Sequence, residues 1–170
     1  GTIAPASQLV TSSNTANLTV TSNFGYTAFV STSGCNGTLS GNTYTTGAIT
    51  SDCTVTANFV AGSISATDCT IPNGSSACTS TITWNTINPL LGNVSAVTTP
   101  TNITVATGNS GTITYSVDYG SRTFYLYHNA KELNRAIANA TCASGNFKGT
   151  ICVAAPALTY TVKGVVAPGG

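Results

Sequence analysis

A chain of 170 residues with 41% hydrophobic residues can bury one or two small cores, which excludes an intrinsically disordered protein. Only 5% of the residues are charged, and the formal net charge is +1. Five scattered cations cannot form the clustered Lys and Arg surface that phosphate groups require, so we expect no nucleic-acid partner.

Thr, Ser, Asn and Gly take the place of charged residues at the surface. Thr favours strands, whereas Ser, Asn and Gly favour turns. The composition therefore predicts an all-β protein with many hairpins. The sequence has no apolar run of membrane-spanning length, so we expect no membrane insertion, and any signal peptide to have been removed.

The six cysteines fall into three sequential couples, each of which encloses a turn-rich loop. With no methionine and few charges, they predict a secreted chain with paired cysteines. We predict local pairing among the alternative connectivities: Cys35 with Cys53, Cys69 with Cys78, and Cys142 with Cys152. No Cys-x-x-Cys pair exists, and the single His128 is far from each couple, so no metal site or cofactor is expected.

Residues 1–61 are predicted to form the first domain. Short strand candidates lie at 8–11, 16–21 and 26–32, separated by Ser-Ser-Asn and Asn-Phe-Gly turns. In the second candidate, Leu18 and Val20 share one face.

A run of motifs continues to the end of this first domain. It comprises Gly25-Tyr26, the stretch GCNGTLSG from Gly34 to Gly41, Thr43-Tyr44-Thr45-Thr46, Ile49-Thr50, the stretch DCTVTA from Asp52 to Ala57, and Phe59. The pattern resembles the divergent internalin-B-type B repeats of bacterial surface proteins. Modules of that family have a strand and a Gly-Gly turn before an Ile-x-Pro segment, and the resemblance implies the same arrangement here. This chain has Ile3-Ala4-Pro5 without the preceding strand.

Residues 62–156 are predicted to form a second domain with two packed antiparallel sheets. Apolar residues alternate along several short segments, and Trp84 is expected in the core. The segment from Cys69 to Trp84 resembles the immunoglobulin-like modules that accompany such repeats, although it lacks the cysteine spacing of antibody domains. Residues 130–140 fit a helix or a strand, and we predict a turn around Lys131 followed by a strand.

The tyrosines of this domain divide between two faces. Tyr115 and Tyr119 alternate with Val117 and are predicted to be core residues. Tyr125 and Tyr127 would point away from the core and form a candidate binding patch for glycans. The alternative for that patch is a contact with the neighbouring domain.

Catalysis is not expected. The four acids are Asp52, Asp68, Asp118 and Glu132, and nothing in the sequence pairs two of them. A Ser-His-Asp triad would have to use His128 and Asp118, but no Gly-x-Ser-x-Gly elbow is present. We predict instead that His128, which comes at a strand end, is a solvated or hydrogen-bonded loop histidine.

The two ends of the chain together read as a β-hairpin cut at its tip. Tyr160, Val162, Val165 and Val166 form a strand pattern, the turn pattern runs over Pro168, Gly169, Gly170 and Gly1, and a second strand opens at Thr2 and Ile3. We interpret residues 157–170 as an inter-unit strand or linker. The alternative is that Leu158, Tyr160 and Val162 form the last strand of the second domain, with a loose end after it.

These patterns predict a structural repeating subunit of an extracellular bacterial filament or surface fibre. Copies of the chain would join head to tail, by strand complementation or by covalent tandem repetition. The alternative is an adhesin module at the cell surface that binds glycans, a host surface or an abiotic surface through Tyr125 and Tyr127.

Overall fold

The computed structural model describes residues 1–164 and shows an all-β protein, as the composition predicts. Fifteen strands are present in this range, and no helix is. Four residues of the predicted inter-unit strand, Val165, Val166, Gly169 and Gly170, lie outside the described residues.

The first sheet has the order β1-β2-β5-β4 and is antiparallel throughout. Its strands are β1 (Thr2–Ala4), β2 (Asn17–Thr21), β4 (Gly37–Ser40) and β5 (Thr43–Thr46). The burial pattern of β2 confirms that Leu18 and Val20 share the inner face. The predicted strand at 16–21 is thus confirmed.

The predicted strand at 8–11 is wrong. Residues 8–11 form no strand, and Leu9 is fully exposed, so the segment has no second apolar side chain to bury against a sheet. The predicted Ser-Ser-Asn turn does follow it: the Asn14 backbone N–H donates to the Thr11 carbonyl, and the Ser13 N–H donates to the Ile49 carbonyl.

A second sheet, the shared sheet, has the order β11-β8-β6-β3 and runs through both halves of the chain. Its strands are β3 (Tyr26–Ser33), β6 (Thr54–Ala66), β8 (Ala77–Ile87) and β11 (Ser110–Asp118). The strand predicted at 26–32 is confirmed by β3. Along β6, residues up to Ala61 pair with β3, and residues from Ala61 onward pair with β8. The predicted boundary between residues 61 and 62 lies within this continuous strand.

The third sheet has the order β10-β9-β12-β13-β7, and only its β13-β7 pair is parallel. Its strands are β7 (Cys69–Ile71), β9 (Ser95–Thr98), β10 (Thr104–Thr107), β12 (Gly120–His128) and β13 (Lys131–Cys142). A small hairpin of β14 (Asn146–Lys148) and β15 (Ile151–Val153) follows. The turn before β13 uses Asn129 and Ala130, both at positive φ, so the turn-then-strand prediction is confirmed.

One hydrophobic core joins the shared sheet to the third sheet. Its buried members are Ile71, Ile82, Trp84, Val97, Val117, Phe124, Leu126, Ala138, Ala140, Cys142 and Cys152. Trp84 is buried as predicted, and its indole N–H donates to the Gly108 carbonyl at 2.8 Å. This hydrogen bond satisfies the one polar group that the ring takes out of water.

The structure pairs the six cysteines as the sequence predicts. Cys35–Cys53 ties the segment before β4 to the start of β6, Cys69–Cys78 ties β7 to β8, and Cys142–Cys152 ties the end of β13 to β15. Each bridge restricts the unfolded chain and is worth about 2–4 kcal/mol.

Candidate inter-unit strand site

The segment at 154–164 follows the small hairpin and forms no strand. Within it, Leu158, Tyr160 and Val162 are 98%, 91% and 78% exposed. The alternative in which these residues form the last strand of the second domain is therefore wrong. Three large apolar side chains at alternate positions, all in water, are typical of a strand whose partner is absent.

The first strand, β1, lies at the edge of the first sheet. It pairs with β2 alone, with Thr2 opposite Thr21 and Ile3 opposite Val20. Val20 is fully buried, and residues opposite each other in an antiparallel pair share a face, so Ile3 points to the inner side. The other edge of β1 pairs with no strand among residues 1–164 and offers free backbone N–H and C=O groups.

An apolar groove lies between the first sheet and the start of β6. It encloses about 300 Å³ and is lined by Ile3, Val10, Leu18, Ile49 and Val55, together with polar but uncharged neighbours. All five of these apolar side chains are only half-buried. We call this cavity the first-domain groove. Sequence patterns did not identify it, because they place residues on a strand face without showing what covers that face.

The described residues of the tail and the residues of β1 do not pair within one chain. Tyr160 and Val162 lie in the exposed segment, whereas Gly1 and Ile3 lie at the first sheet. Gly1 is packed against the Phe59 ring so closely that a methyl group there would overlap it. Among residues 1–164, the chain thus carries a strand pattern without a partner at 158–162 and an unpaired sheet edge at β1.

Tyr125 and Tyr127 lie on the face of β12 opposite the buried Phe124 and Leu126, as predicted. Their ring centroids are 6.2 Å apart, and the Arg135 guanidinium lies 5.4 Å from the centre of the Tyr125 ring. Both tyrosines are half-buried. A cation of the same chain therefore already occupies part of this candidate binding patch.

The two other tyrosines differ from each other. Tyr115 packs edge-on against Phe124 at 5.3 Å, next to the core as predicted. The core prediction for Tyr119 is wrong, since this side chain is 47% exposed and stacks on Phe147 at 4.2 Å. Tyr119 lies between the end of β11 at Asp118 and Gly120, which has a positive φ. Its side chain is therefore in a turn and no longer follows the inward–outward alternation of the strand.

His128 is fully buried at the end of β12, which contradicts a solvated histidine and confirms a hydrogen-bonded one. Its Nε2 accepts the Leu90 backbone N–H at 3.0 Å, and its Nδ1 lies 2.9 Å from Ser95 Oγ. The accepting Nε2 places the proton on Nδ1, which donates to Ser95. Burial lowers the pKa of His128, so the ring is held in its neutral form.

This arrangement does not assemble the triad. Both ring nitrogens of His128 have partners, and neither partner is a carboxylate. Asp118 is the last residue of β11 and is largely exposed. Its carboxylate lies 3.8 Å from the Arg122 guanidinium. The ring therefore stabilises a buried polar network that extends through Ser95 to Thr86.

Two of the other acids make separate structural contacts, and Asp52 is exposed. Asp68 accepts the backbone and side-chain N–H groups of Asn139 at 2.8 and 3.0 Å, and Glu132 pairs with Arg135 at 2.8 Å. Among residues 1–164, no three His, Cys, Asp or Glu side chains gather in a way that could hold a metal ion. The same range contains no helix with the length and hydropathy needed to cross a bilayer.

No protein-family model matches this chain, and no curated protein or solved structure matches it either. The B-repeat resemblance and the immunoglobulin-like class of the second domain therefore stay predictions. What the structure shows directly is an all-β, disulfide-bridged chain with an exposed apolar tail.

Proposed function

We propose that this chain is the repeating structural subunit of an extracellular bacterial filament or surface fibre. The tail strand of one unit completes a sheet of the next, either between separate chains or within a covalent tandem repeat. The alternation of Leu158, Tyr160 and Val162 in an exposed segment carries this proposal. Burying such side chains against a partner gains about 1.5–3 kcal/mol each.

The position of the free sheet edge supports head-to-tail assembly. The donor segment is C-terminal, and β1 is the first strand of the chain. Because donor and acceptor are different surfaces, each unit can bind one copy through its donor and another through its acceptor, and the growing assembly keeps one donor and one acceptor open at its ends. A contact of this kind does not close by twofold symmetry and extends into a fibre.

The three disulfides support an extracellular location, since such bridges persist in oxidising compartments. They also suit a fibre under tension, because each bridge joins neighbouring segments of one unit. The low charge fits close packing of identical units, because few like charges would meet at each contact.

Intact-mass analysis of native material, denatured with and without reductant, tests the proposal alongside electron microscopy of the same sample. Filaments that dissociate into a 17.1 kDa species indicate strand donation between separate chains. Filaments that remain one large polypeptide of repeated units indicate tandem repetition. Native material that is monomeric contradicts the fibre proposal, and a glycan-binding assay comparing Tyr125→Ala and Tyr127→Ala variants with wild type would then test the adhesin alternative.

A further inference from the structure

The surface that accepts the tail can be identified in more detail. This inference rests on the proposed function. We propose that residues 158–164 of a second copy of this chain bind antiparallel beyond the free edge of β1 and fill the first-domain groove with Leu158, Tyr160 and Val162.

The incomplete burial of apolar side chains in the first domain supports this occupant. Its apolar side chains at the groove, such as Leu18 and Val55, are half-buried although they point toward the space between two layers. Protein interiors are ordinarily close-packed, so apolar side chains left half-exposed around a groove of about 300 Å³ present surface that an incoming strand would bury. A strand supplies such atoms at every second residue.

The spacing of the apolar residues in the tail matches one face of a strand. Leu158, Tyr160 and Val162 are two residues apart, and Val166, outside the described residues, continues the same parity in the sequence. The three side chains of the described segment therefore share one face of an extended strand and can enter the groove together.

The course of the groove fits a tail that runs antiparallel to β1. Pro5 follows β1 and has no backbone N–H, so sheet pairing ends there, while the groove continues along residues 6–8 and Val10 to Ile49. The tail is long enough to follow both, because residues 158–164 form a seven-residue segment and β1 has only three residues. Lys163 has the opposite parity and stays in water, whereas the groove lining contains no charged side chain.

Site-specific photocross-linking in the full-length chain tests the inference. Tyr160 is replaced with the photoreactive residue p-benzoylphenylalanine, and the variant is assembled with isotope-labelled wild-type chain. Irradiation should cross-link position 160 of one copy to groove peptides of the other copy, those that contain residues 3–18 or 49–55. The matched control places the same probe at the neighbouring Thr161, which should lose these groove cross-links because it faces outward.

A second measurement uses the wild-type chain. Hydrogen exchange should show protection in the assembled form at residues 2–4 and 158–164 relative to the monomer. Filaments that show inter-copy cross-links elsewhere, or no added protection at these residues, overturn the groove inference and leave the fibre proposal standing. Native material that is itself a 17.1 kDa monomer, together with no inter-copy cross-link, overturns both.

Discussion

The two halves of this molecule differ in how completely each builds its own core. In the second half, ten buried residues from two facing sheets and Cys152 from the small hairpin form one continuous cluster. In the first half, a few side chains such as Val20, Phe29 and Tyr44 are buried, while Ile3, Leu18 and Val55 remain half-exposed around a groove. The second half therefore has a closed core, whereas the first half leaves apolar side chains open at a groove.

The two cores differ because the strands of the two halves differ in length. The second half contributes long strands, β8, β11, β12 and β13, that cover both sides of its core. The first sheet has strands of only three to five residues, and its edge strand β1 is the shortest. Truncations of core side chains should therefore cost the monomer more stability in the second half than in the first, whereas truncations at the groove and in the tail should weaken assembly more than they weaken the monomer.

The largest effect on the isolated chain is expected from Phe124→Ala. Phe124 is fully buried in the second core, and truncating such a ring costs about 3–5 kcal/mol because a cavity remains. Denaturant unfolding of the monomer measures the loss. The matched control Ile137→Ala on neighbouring β13, where the side chain is 53% exposed, should change stability by no more than about 0.5 kcal/mol. Equal losses for the two variants would contradict the assigned core.

Removing the Cys35–Cys53 bridge should cost about 2–4 kcal/mol. The double variant Cys35→Ala and Cys53→Ala is compared with wild type by thermal unfolding under non-reducing conditions. The first domain has the less complete core, so its hydrogen exchange should rise more than that of β12 and β13. Uniform exchange across both halves would show that the two halves unfold as one unit.

Protonation of His128 should destabilise the second half at low pH. Burial lowers the pKa of the folded ring below 6.5, so the unfolded chain binds a proton that the folded chain does not. Stability is complete above about pH 6.5 and falls as pH decreases toward the folded pKa, by up to about 1.4 kcal/mol per pH unit. His128 is the only histidine, so His128→Gln should abolish most of this slope between pH 7 and about 5. An unchanged slope would assign the acid sensitivity to other groups.

The sequence predicted those features that depend on local patterns. The disulfide couples, the turn before Lys131 and the burial of Trp84 all follow from short spacing or residue type. The burial of His128 did not follow, because it depends on Ser95 and on Leu90, 38 residues away in the chain. Tyr119 was misassigned because alternation cannot show where a strand ends.

The candidate site was predicted only where it depends on local patterns. Tyr160, Val162 and Ile3 were found from the strand pattern at the chain ends. The groove residues Val10, Ile49 and Val55 come from separate loops and strands, and only the fold brings them to one cavity.

A smaller effect on the monomer is expected from Leu18→Ala. The side chain is half-buried at the groove, so the monomer should lose about 1 kcal/mol. The filament should lose more, since there the tail of the next copy completes the burial of Leu18. Unfolding midpoints of both forms give the two values. Leu39→Ala is the control, because Leu39 is also half-buried in the first sheet but does not line the groove.

The smallest effect on the monomer, and the sharpest test of the contrast between the halves, is expected from Tyr160→Ser. This side chain is 91% exposed, so its removal should leave monomer unfolding within about 0.5 kcal/mol of wild type. Assembly should nevertheless be weakened, because the same ring would be buried in the next copy. Light scattering and electron microscopy measure the loss, with Thr161→Ser as the neighbouring control on the opposite face. Normal filaments from Tyr160→Ser would mean that the first domain is completed by something other than the tail.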